Sequence, residues 1–216
     1  LNAEVAKSLY EHKISNVQIT LDGTEKVHDA RRYLLSKMGT FDHILSNILS
    51  WINEVSLSVS IRINIDKRNV EDVGDLLEYL AKMELNNKNN FRVYFSPVES
   101  TTSACKAIEE FTLEKTEIAK SIYKLYIKAI VLGLHEVVMP PGMLGLCTAV
   151  RKNGFIIAPD GECHKCFDLI TFNKYSIGSI LDYEKLLSLS IDNKNAQKWA
   201  NFSPLKNDIC KTCVIL

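Results

Sequence analysis

Thiol side chains are concentrated in the last third of the chain. Four of the six cysteines form a spaced pattern: Cys147-x13-Gly161-x4-Cys166, then Cys210-x2-Cys213. Cys163, three residues before Cys166, forms a second Cys-x2-Cys pair. With Cys210 and Cys213 this pair would suit a zinc ribbon, although the gap of 43 residues is long for one and Cys147 would be unused. Grouped thiolates hold zinc in tetrahedral sites and also hold iron–sulfur clusters. The spacing alone leaves both metals open.

The ends of the chain suggest that it is part of a larger protein. It begins at Leu1 and stops three residues after Cys213, within what looks like a run of ligands. Its 216 residues can bury a substantial core in one or two domains. A core of this size does not need disulfides, so we expect the thiols to lie in a reducing cytoplasm.

The balance of acidic and basic residues indicates which classes of partner to expect. The chain has 26 basic and 26 acidic residues, and 46% of its residues are hydrophobic. A net charge of zero gives no electrostatic reason to expect nucleic acid or an anionic membrane as a partner. No apolar run is long enough to span a bilayer. We therefore expect a partner that is neither a nucleic acid nor a membrane.

Residues 1–133 predict strands that alternate with helices. Strands are expected at 17–23, 56–66 and 91–96, and helices near 41–52, 70–83 and 118–130. Thr40 and Asn69 are expected to cap the first two helices. Three successive strand–helix units indicate a parallel α/β sheet or a sector of a barrel.

The strand at 56–66 keeps alternate polar residues throughout its length. A parallel strand covered by helices is normally apolar on both faces. The polar positions therefore indicate either an antiparallel strand with one face in water or a partly open barrel with a polar lumen. We favour the lumen, because Arg62 and Asn64 lie near the carboxyl end of the strand, where α/β sites gather. Thr20 continues the same pattern on the first strand.

A small, loop-rich region follows the boundary at 139–142. Asp160-Gly161 predicts a hairpin between 155–159 and 162–167. Further elements are expected at 176–180, as a strand, and at 181–189, as a short helix. So small a unit buries little core, so a metal is expected to stabilise it.

Several motifs resemble radical SAM enzymes that carry a SPASM domain, including the anaerobic sulfatase maturases. The matching segments are Gln18–Thr24, His28–Arg32, Gly39–Asp42 and Ile61–Asp66, and the spaced cysteines match the first two-thirds of the SPASM pattern. The resemblance implies an α/β fold. Residues 1–138 would be the C-terminal half of a partial (β/α)6 barrel, and residues 139–216 a truncated SPASM domain.

The resemblance also implies an activity. Family members use S-adenosyl-L-methionine and [4Fe–4S] clusters for the radical modification of a peptide or protein. Implied partners are a peptide or protein substrate and an electron donor such as flavodoxin or ferredoxin. Because the clusters are oxygen-labile, an anaerobic cytoplasm follows.

Carried over by position, the motifs assign two sets of residues. Thr20 would approach the ribose of S-adenosylmethionine, Asn64 would lie near the same ligand, and Arg62 or Arg32 would meet its carboxylate. Cys147 and Cys166 would ligate the first auxiliary cluster, and Cys210 and Cys213 would begin the ligand set of the second. No catalytic residue is assigned. His28 and Asp29 are interpreted as a pair at a helix start or in a turn, and His164 as a surface residue of the hairpin.

The chain departs from the family pattern at one decisive point. The Cys-x3-Cys-x2-Cys loop that holds the catalytic cluster is absent from the 216 residues. We therefore expect this chain alone to be inactive. Two alternatives remain: a zinc-binding α/β protein-interaction module without catalysis, and a degenerate family member retained for substrate recognition.

Overall fold

A computed structural model of the chain describes residues 1–100, 103–136, 147–151, 154–170, 172–182, 184, 193–203, 206 and 208–211. The chain divides into two compact units, Leu1–Val137 and Val138–Leu216. The identity of these units as a half-barrel and a SPASM domain stays a prediction.

The first unit contains the three predicted strands and the three predicted helices in the expected order, together with two helices that were not predicted, Ala3–Glu11 and Glu25–Arg31. Its elements are α1 (Ala3–Glu11), β1 (Asn16–Thr20), α2 (Glu25–Arg31), α3 (Phe41–Trp51), β2 (Ser58–Ile65), α4 (Val73–Lys82), β3 (Phe91–Pro97) and α5 (Lys115–Val131). Short 3-10 helices occupy Leu85–Asn87 and Ser103–Phe111. The mixed α/β class and all three predicted strands are confirmed.

The three strands form one parallel sheet in the order β1-β2-β3. Ile19 pairs with Ile61, and Ile61 pairs with Val93. The antiparallel alternative for the strand at 56–66 is therefore wrong. Parallel neighbours need a crossover connection, and α2 with α3 and then α4 supply it.

Alternation divides the sheet into an apolar and a polar face. The apolar residues of β2 are all fully buried: Val59, Ile61, Ile63 and Ile65. They share one core with the buried faces of α3 (Phe41, Leu45, Ile48, Trp51) and α4 (Val73, Leu76, Leu77, Leu80). The polar residues of the strands point away from this core.

The two predicted helix caps are wrong in their side-chain roles. Helix α3 does follow Thr40, but Asp29 caps it: Asp29 Oδ1 accepts hydrogen bonds from Thr40 N at 2.8 Å and Phe41 N at 3.0 Å. The Thr40 hydroxyl instead donates to the Arg32 carbonyl. Helix α4 begins only at Val73, and the side chain of Asn69 bonds elsewhere.

The second unit contains a small antiparallel sheet in the order β4-β5-β6, formed by Ile156–Ile157, Glu162–His164 and Gly178–Ser179. The predicted hairpin is confirmed, and Gly161 at its turn has a φ of +86°, which favours glycine. Helices α6 (Lys194–Ala200) and α7 (Asp208–Lys211) follow. Most of the helix predicted at 181–189 lies outside the described residues.

In the described part of the chain, every helix is too short or too polar to cross a bilayer.

Candidate functional site

The polar face of the parallel sheet gathers the predicted ligand-binding residues. It carries Asn16, Gln18 and Thr20 from β1, Ser60, Arg62 and Asn64 from β2, and Arg92, Tyr94 and Ser96 from β3. The register places Thr20 beside Arg62, and Asn64 beside Ser96. The structure therefore brings Thr20, Arg62 and Asn64 together near the carboxyl ends of β1 and β2.

Two hydrogen bonds orient the Arg62 side chain along this face. Its Nε donates to Asn64 Oδ1 at 2.8 Å, and one Nη donates to Ser96 Oγ at 2.9 Å. A guanidinium has five N–H donors, so these two bonds leave others for a ligand. Thr20 is half-buried, and within the described residues its hydroxyl makes no hydrogen bond.

Asp22, one residue beyond Leu21 at the end of β1, connects these residues to Arg32. It is 2% exposed, and its Oδ1 accepts hydrogen bonds from the backbone N of Asn64 at 3.1 Å and from Asn64 Nδ2 at 3.0 Å. Its Oδ2 accepts from Arg32 Nε at 2.8 Å. Arg32, Asp22, Asn64 and Arg62 thus form a continuous network. We call this set the Asp22 network.

Sequence reasoning did not assign Asp22 to the site. The signal that would have found it is its position: Asp22 is an acidic residue just beyond the carboxyl end of the first strand and directly before Gly23. Its Oδ2 lies 2.8 Å from Nε of Arg32 and 3.8 Å from Nε of Arg31, and these two guanidinium groups explain why a carboxylate is buried there. A buried charge requires such pairing.

A second buried carboxylate, Asp66, holds two more arginines at the end of β2. It is fully buried and accepts hydrogen bonds from an Nη of Arg31 at 2.8 Å and from the backbone N of Arg68 at 2.9 Å. Burial opposes its ionisation, but hydrogen bonds from Arg68 and the charges of Arg31 and Arg68 outweigh burial. These interactions hold the pKa of Asp66 below its ordinary value.

Asn69 ties the two strand ends together. Its Nδ2 donates to the carbonyl of Asp22 at 2.6 Å and to the carbonyl of Asn64 at 2.7 Å. Its Oδ1 accepts from the backbone N of Asp66 at 2.9 Å. The side chain is therefore fully used inside the fold, which explains why it does not cap α4.

His28 fixes the turn that follows β1. It is fully buried, its Nδ1 lies 3.1 Å from the backbone N of Asp22, and its Nε2 lies 3.0 Å from Thr40 Oγ1. Because a backbone N–H can only donate, Nδ1 accepts and Nε2 carries the proton. Burial lowers the pKa of His28, although Asp22 and Asp29 act in the opposite direction. The ring is neutral and positions Asp22.

The predicted thiol ligands are described only in part. Cys147 is exposed and precedes a 3-10 turn at Thr148–Val150, whereas Cys166 is half-buried just after β5. Cys210 lies in α7 but its side chain, like all of Cys213, falls outside the described residues. Within the described residues no group of three or more His, Cys, Asp or Glu side chains is arranged to hold a metal. These residues alone do not form a cluster site, and the ligand set stays a prediction.

Cys163 and His164 are both buried in the small sheet. Cys163 is 0% exposed and packs with Ile177, Ala196 and Phe155, and burial raises the pKa of its thiol. It remains a protonated, apolar-facing group. His164 is 1% exposed, so its prediction as a surface residue is wrong. The sequence pattern indicated only a two-stranded hairpin, whereas β5 is the central strand of three and pairs with both β4 and β6.

Comparisons with known proteins agree with the motifs. No family model matches the chain. A curated protein, the cysteine-type anaerobic sulfatase-maturating enzyme of Clostridium novyi (strain NT), is 25% identical over 235 residues, covering 99% of this chain and 58% of that enzyme.

Two solved structures of native anSMEcpe share the fold with a TM-score of 0.66. One has bound AdoMet and the other has bound AdoMet and a Kp18Cys peptide; they are 19% and 18% identical to this chain. The match covers 99% of this chain and 60% of theirs. The chain thus spans about three-fifths of the length of the relatives that it matches. Its predicted resemblance to radical SAM maturases of the anaerobic sulfatase-maturating kind is confirmed.

Proposed function

We propose that this chain is part of a radical SAM enzyme with a SPASM domain that modifies a peptide or protein. The observation that carries the proposal is the polar face of the parallel sheet, where Thr20, Arg62 and Asn64 converge. That face occurs in a chain whose fold matches AdoMet-bound anSMEcpe. The peptide in the related structure supports the substrate class.

The donors on the polar face suit S-adenosylmethionine in their chemistry. The Thr20 hydroxyl and the Asn64 amide complement ribose hydroxyls, and a guanidinium complements a carboxylate by a two-point contact. Arg62 uses Nε and one Nη within the sheet, and Arg32 uses Nε on Asp22. Either arginine therefore retains N–H donors for the ligand carboxylate. When bound, the cofactor supplies the radical chemistry, and these residues bind and orient it.

The thiols belong to the same proposal. Cys147 and Cys166 would hold a first auxiliary [4Fe–4S] cluster, and Cys210 and Cys213 would contribute to a second. An electron donor such as flavodoxin or ferredoxin would reduce the enzyme in an anaerobic cytoplasm. The 216 residues contain no Cys-x3-Cys-x2-Cys loop, so they would not cleave S-adenosylmethionine on their own.

The experiment compares two arginines on the same face. The protein that contains this chain together with a Cys-x3-Cys-x2-Cys region is reconstituted anaerobically with iron and sulfide, and S-adenosylmethionine binding is measured by equilibrium dialysis. Arg62→Ala should weaken binding by about tenfold or more, because a charge-assisted hydrogen bond contributes about 1.5–3 kcal/mol. Arg92→Ala is the matched control: Arg92 lies on the same face, near the start of β3, and donates to Ser60 Oγ at 2.9 Å. It should change binding by less than about twofold.

Two outcomes count against the proposal. Equal loss of binding in both variants would mean that the carboxyl end of the face has no special role. Zinc as the only bound metal, with no cleavage of S-adenosylmethionine, would favour a zinc-binding α/β protein-interaction module instead.

A further inference from the structure

The amino half of the polar face is closed by hydrogen bonds between its own side chains. Arg92 Nε donates to Ser60 Oγ at 2.9 Å, and Ser60 Oγ donates to Asn16 Oδ1 at 3.1 Å. These bonds run across the face from β3 through β2 to β1. Ser60 is 4% exposed although it belongs to the polar set. This half of the face therefore leaves little room for a ligand.

A second contact crosses the face nearer the carboxyl ends of the strands. The Tyr94 hydroxyl donates to Gln18 Oε1. In the register Tyr94 pairs with Arg62, and Gln18 pairs with Ser60. Since β2 lies between β1 and β3, whose backbones are about 9–10 Å apart, the two side chains meet over β2 between Ser60 and Arg62. We call this pair the Gln18–Tyr94 bridge.

Beyond the bridge, towards the carboxyl ends, the face has hydrogen-bonding groups to spare. Arg62 turns away from the bridge, because its donors reach Asn64 Oδ1 and Ser96 Oγ. Its other N–H groups remain for a ligand. The Thr20 hydroxyl makes no hydrogen bond within the described residues. The bridge thus separates the closed half of the face from the half that can bind.

The Tyr94 side chain is suited to contact a ligand at this boundary. Gln18 holds its hydroxyl, so the ring is fixed across β2, and the residue is only half-buried. A fixed aromatic ring supplies a large apolar contact area, and its polar end is already satisfied here. The ring lies directly beside Arg62 in the register. A ligand whose carboxylate is held by Arg62 would meet the ring with its neighbouring atoms.

We propose that the Tyr94 ring is the floor of the S-adenosylmethionine site and that Gln18 holds it in place. The ring contacts the bound ligand and stops it from moving towards the amino ends of the strands. The inference rests on the proposed function, because it adds one contact to the same site. It assigns no proton or electron transfer to the phenol.

Two substitutions of Tyr94 separate a ring contact from a merely structural hydrogen bond. Tyr94→Phe keeps the ring and removes only the hydroxyl, whereas Tyr94→Leu removes the ring. Tyr94→Phe should therefore raise the dissociation constant of S-adenosylmethionine by less than about threefold, and Tyr94→Leu by about five- to tenfold. Gln18→Ala should resemble Tyr94→Phe, because both remove the bridge and keep the ring.

The experiment detects the contact itself. The protein that contains this chain together with a Cys-x3-Cys-x2-Cys region is labelled with fluorotyrosine and reconstituted anaerobically with iron and sulfide. Tyr94→Phe and Tyr123→Phe identify two of the fluorine NMR signals. Tyr123, on α5 and 67% exposed, is the control. S-adenosylmethionine should shift the Tyr94 signal and leave the Tyr123 signal unchanged, and equilibrium dialysis gives the dissociation constant for every variant.

The outcomes distinguish this inference from the proposed function. Binding of S-adenosylmethionine without any change in the Tyr94 signal would overturn the inference and leave the proposed function intact. Equal losses of affinity in Tyr94→Phe and Tyr94→Leu would also overturn it, since the hydroxyl rather than the ring would then matter. Failure of the unsubstituted protein to bind S-adenosylmethionine would contradict both.

Discussion

A single oxygen of Asp22 accepts two hydrogen bonds from Asn64, one from its backbone N at 3.1 Å and one from its Nδ2 at 3.0 Å. This contact joins the end of β1 to β2 and fixes which way the Asn64 amide points. Asn64 Oδ1 consequently faces Arg62 and accepts a hydrogen bond from Arg62 Nε at 2.8 Å. The geometry of the proposed ligand site therefore depends on a carboxylate that need not touch the ligand.

Replacing Asp22 by Asn should destabilise the fold and weaken the proposed site together. The variant loses the charge that faces Arg32 and presents an amide that cannot accept at both positions. Asp22 is buried but the Arg32 side chain is 45% exposed. The loss should therefore stay below the cost of breaking a fully buried pair and amount to about 1–3 kcal/mol. Urea unfolding measures the change, with the exposed Asp75→Asn on α4 as control. A loss as small as that of the control would show that Asp22 does not organise the strand ends.

His28 should make stability depend on pH in the mildly acidic range. Its pKa in the folded chain lies below the ordinary value of 6.5, so the unfolded chain binds the proton first as the pH falls. The stability is complete above pH 6.5 and decreases as the pH drops from there towards the folded pKa. His28→Gln, which keeps an acceptor and a donor, should flatten this slope. His43→Gln, an exposed substitution, should keep it, and urea unfolding across the range checks both.

Asp66 should add a second loss of stability in stronger acid. Its pKa in the folded chain is depressed below 3.8, so its contribution is present above that value and disappears as the pH falls through the folded pKa. Asp66→Asn should be less stable than the unsubstituted chain at neutral pH, because Arg31 and Arg68 lose their carboxylate. The difference between the two proteins should shrink below about pH 3.8, as the native carboxyl group becomes neutral as well. A constant difference down to about pH 2 would contradict the prediction.

Gly39 and Asp29 should behave as a coupled pair. A Cβ on Gly39 would meet Asp29 Oδ2 at 1.9 Å, so Gly39→Ala must displace the carboxylate that caps α3. Loss of a cap costs about 0.5–2 kcal/mol, and Asp29→Ala should cost a similar amount. The double variant should be little worse than either single one, because both remove the same bonds. Additive losses in chemical denaturation would mean that the two residues act independently.

The sequence was sufficient to predict the strands and the side of the sheet that is polar. Apolar and polar residues alternate so regularly in β2 that the sequence alone assigns Ile61 and Arg62 to opposite faces of the strand. The hairpin at Gly161 was also predictable, because Asp-Gly between two short extended segments is a strong signal for a hairpin turn.

The connections between strand ends were not predictable in the same way. Asp29 caps a helix that starts 12 residues later, and Asn69 bonds to a carbonyl 47 residues earlier. Local propensity contains no information about such distant partners. For this reason Thr40, which does stand at the N-cap position, and Asn69 were assigned capping hydrogen bonds that their side chains do not make. The burial of His164 was missed as well, because a short hairpin pattern does not show what packs on either face of β5.

The strict alternation of apolar and polar residues in β2 also limits which insertions and deletions the strand can tolerate. Inserting or deleting one residue within Ser58–Ile65 would rotate every later side chain to the other face. Up to four isoleucine and valine side chains, depending on where the change falls, would turn to the polar face, and Arg62 or Asn64 would enter the apolar core. Length changes in this part of the protein should therefore be tolerated only in the loops on either side of the strand, whereas conservative exchanges within each face should be accepted.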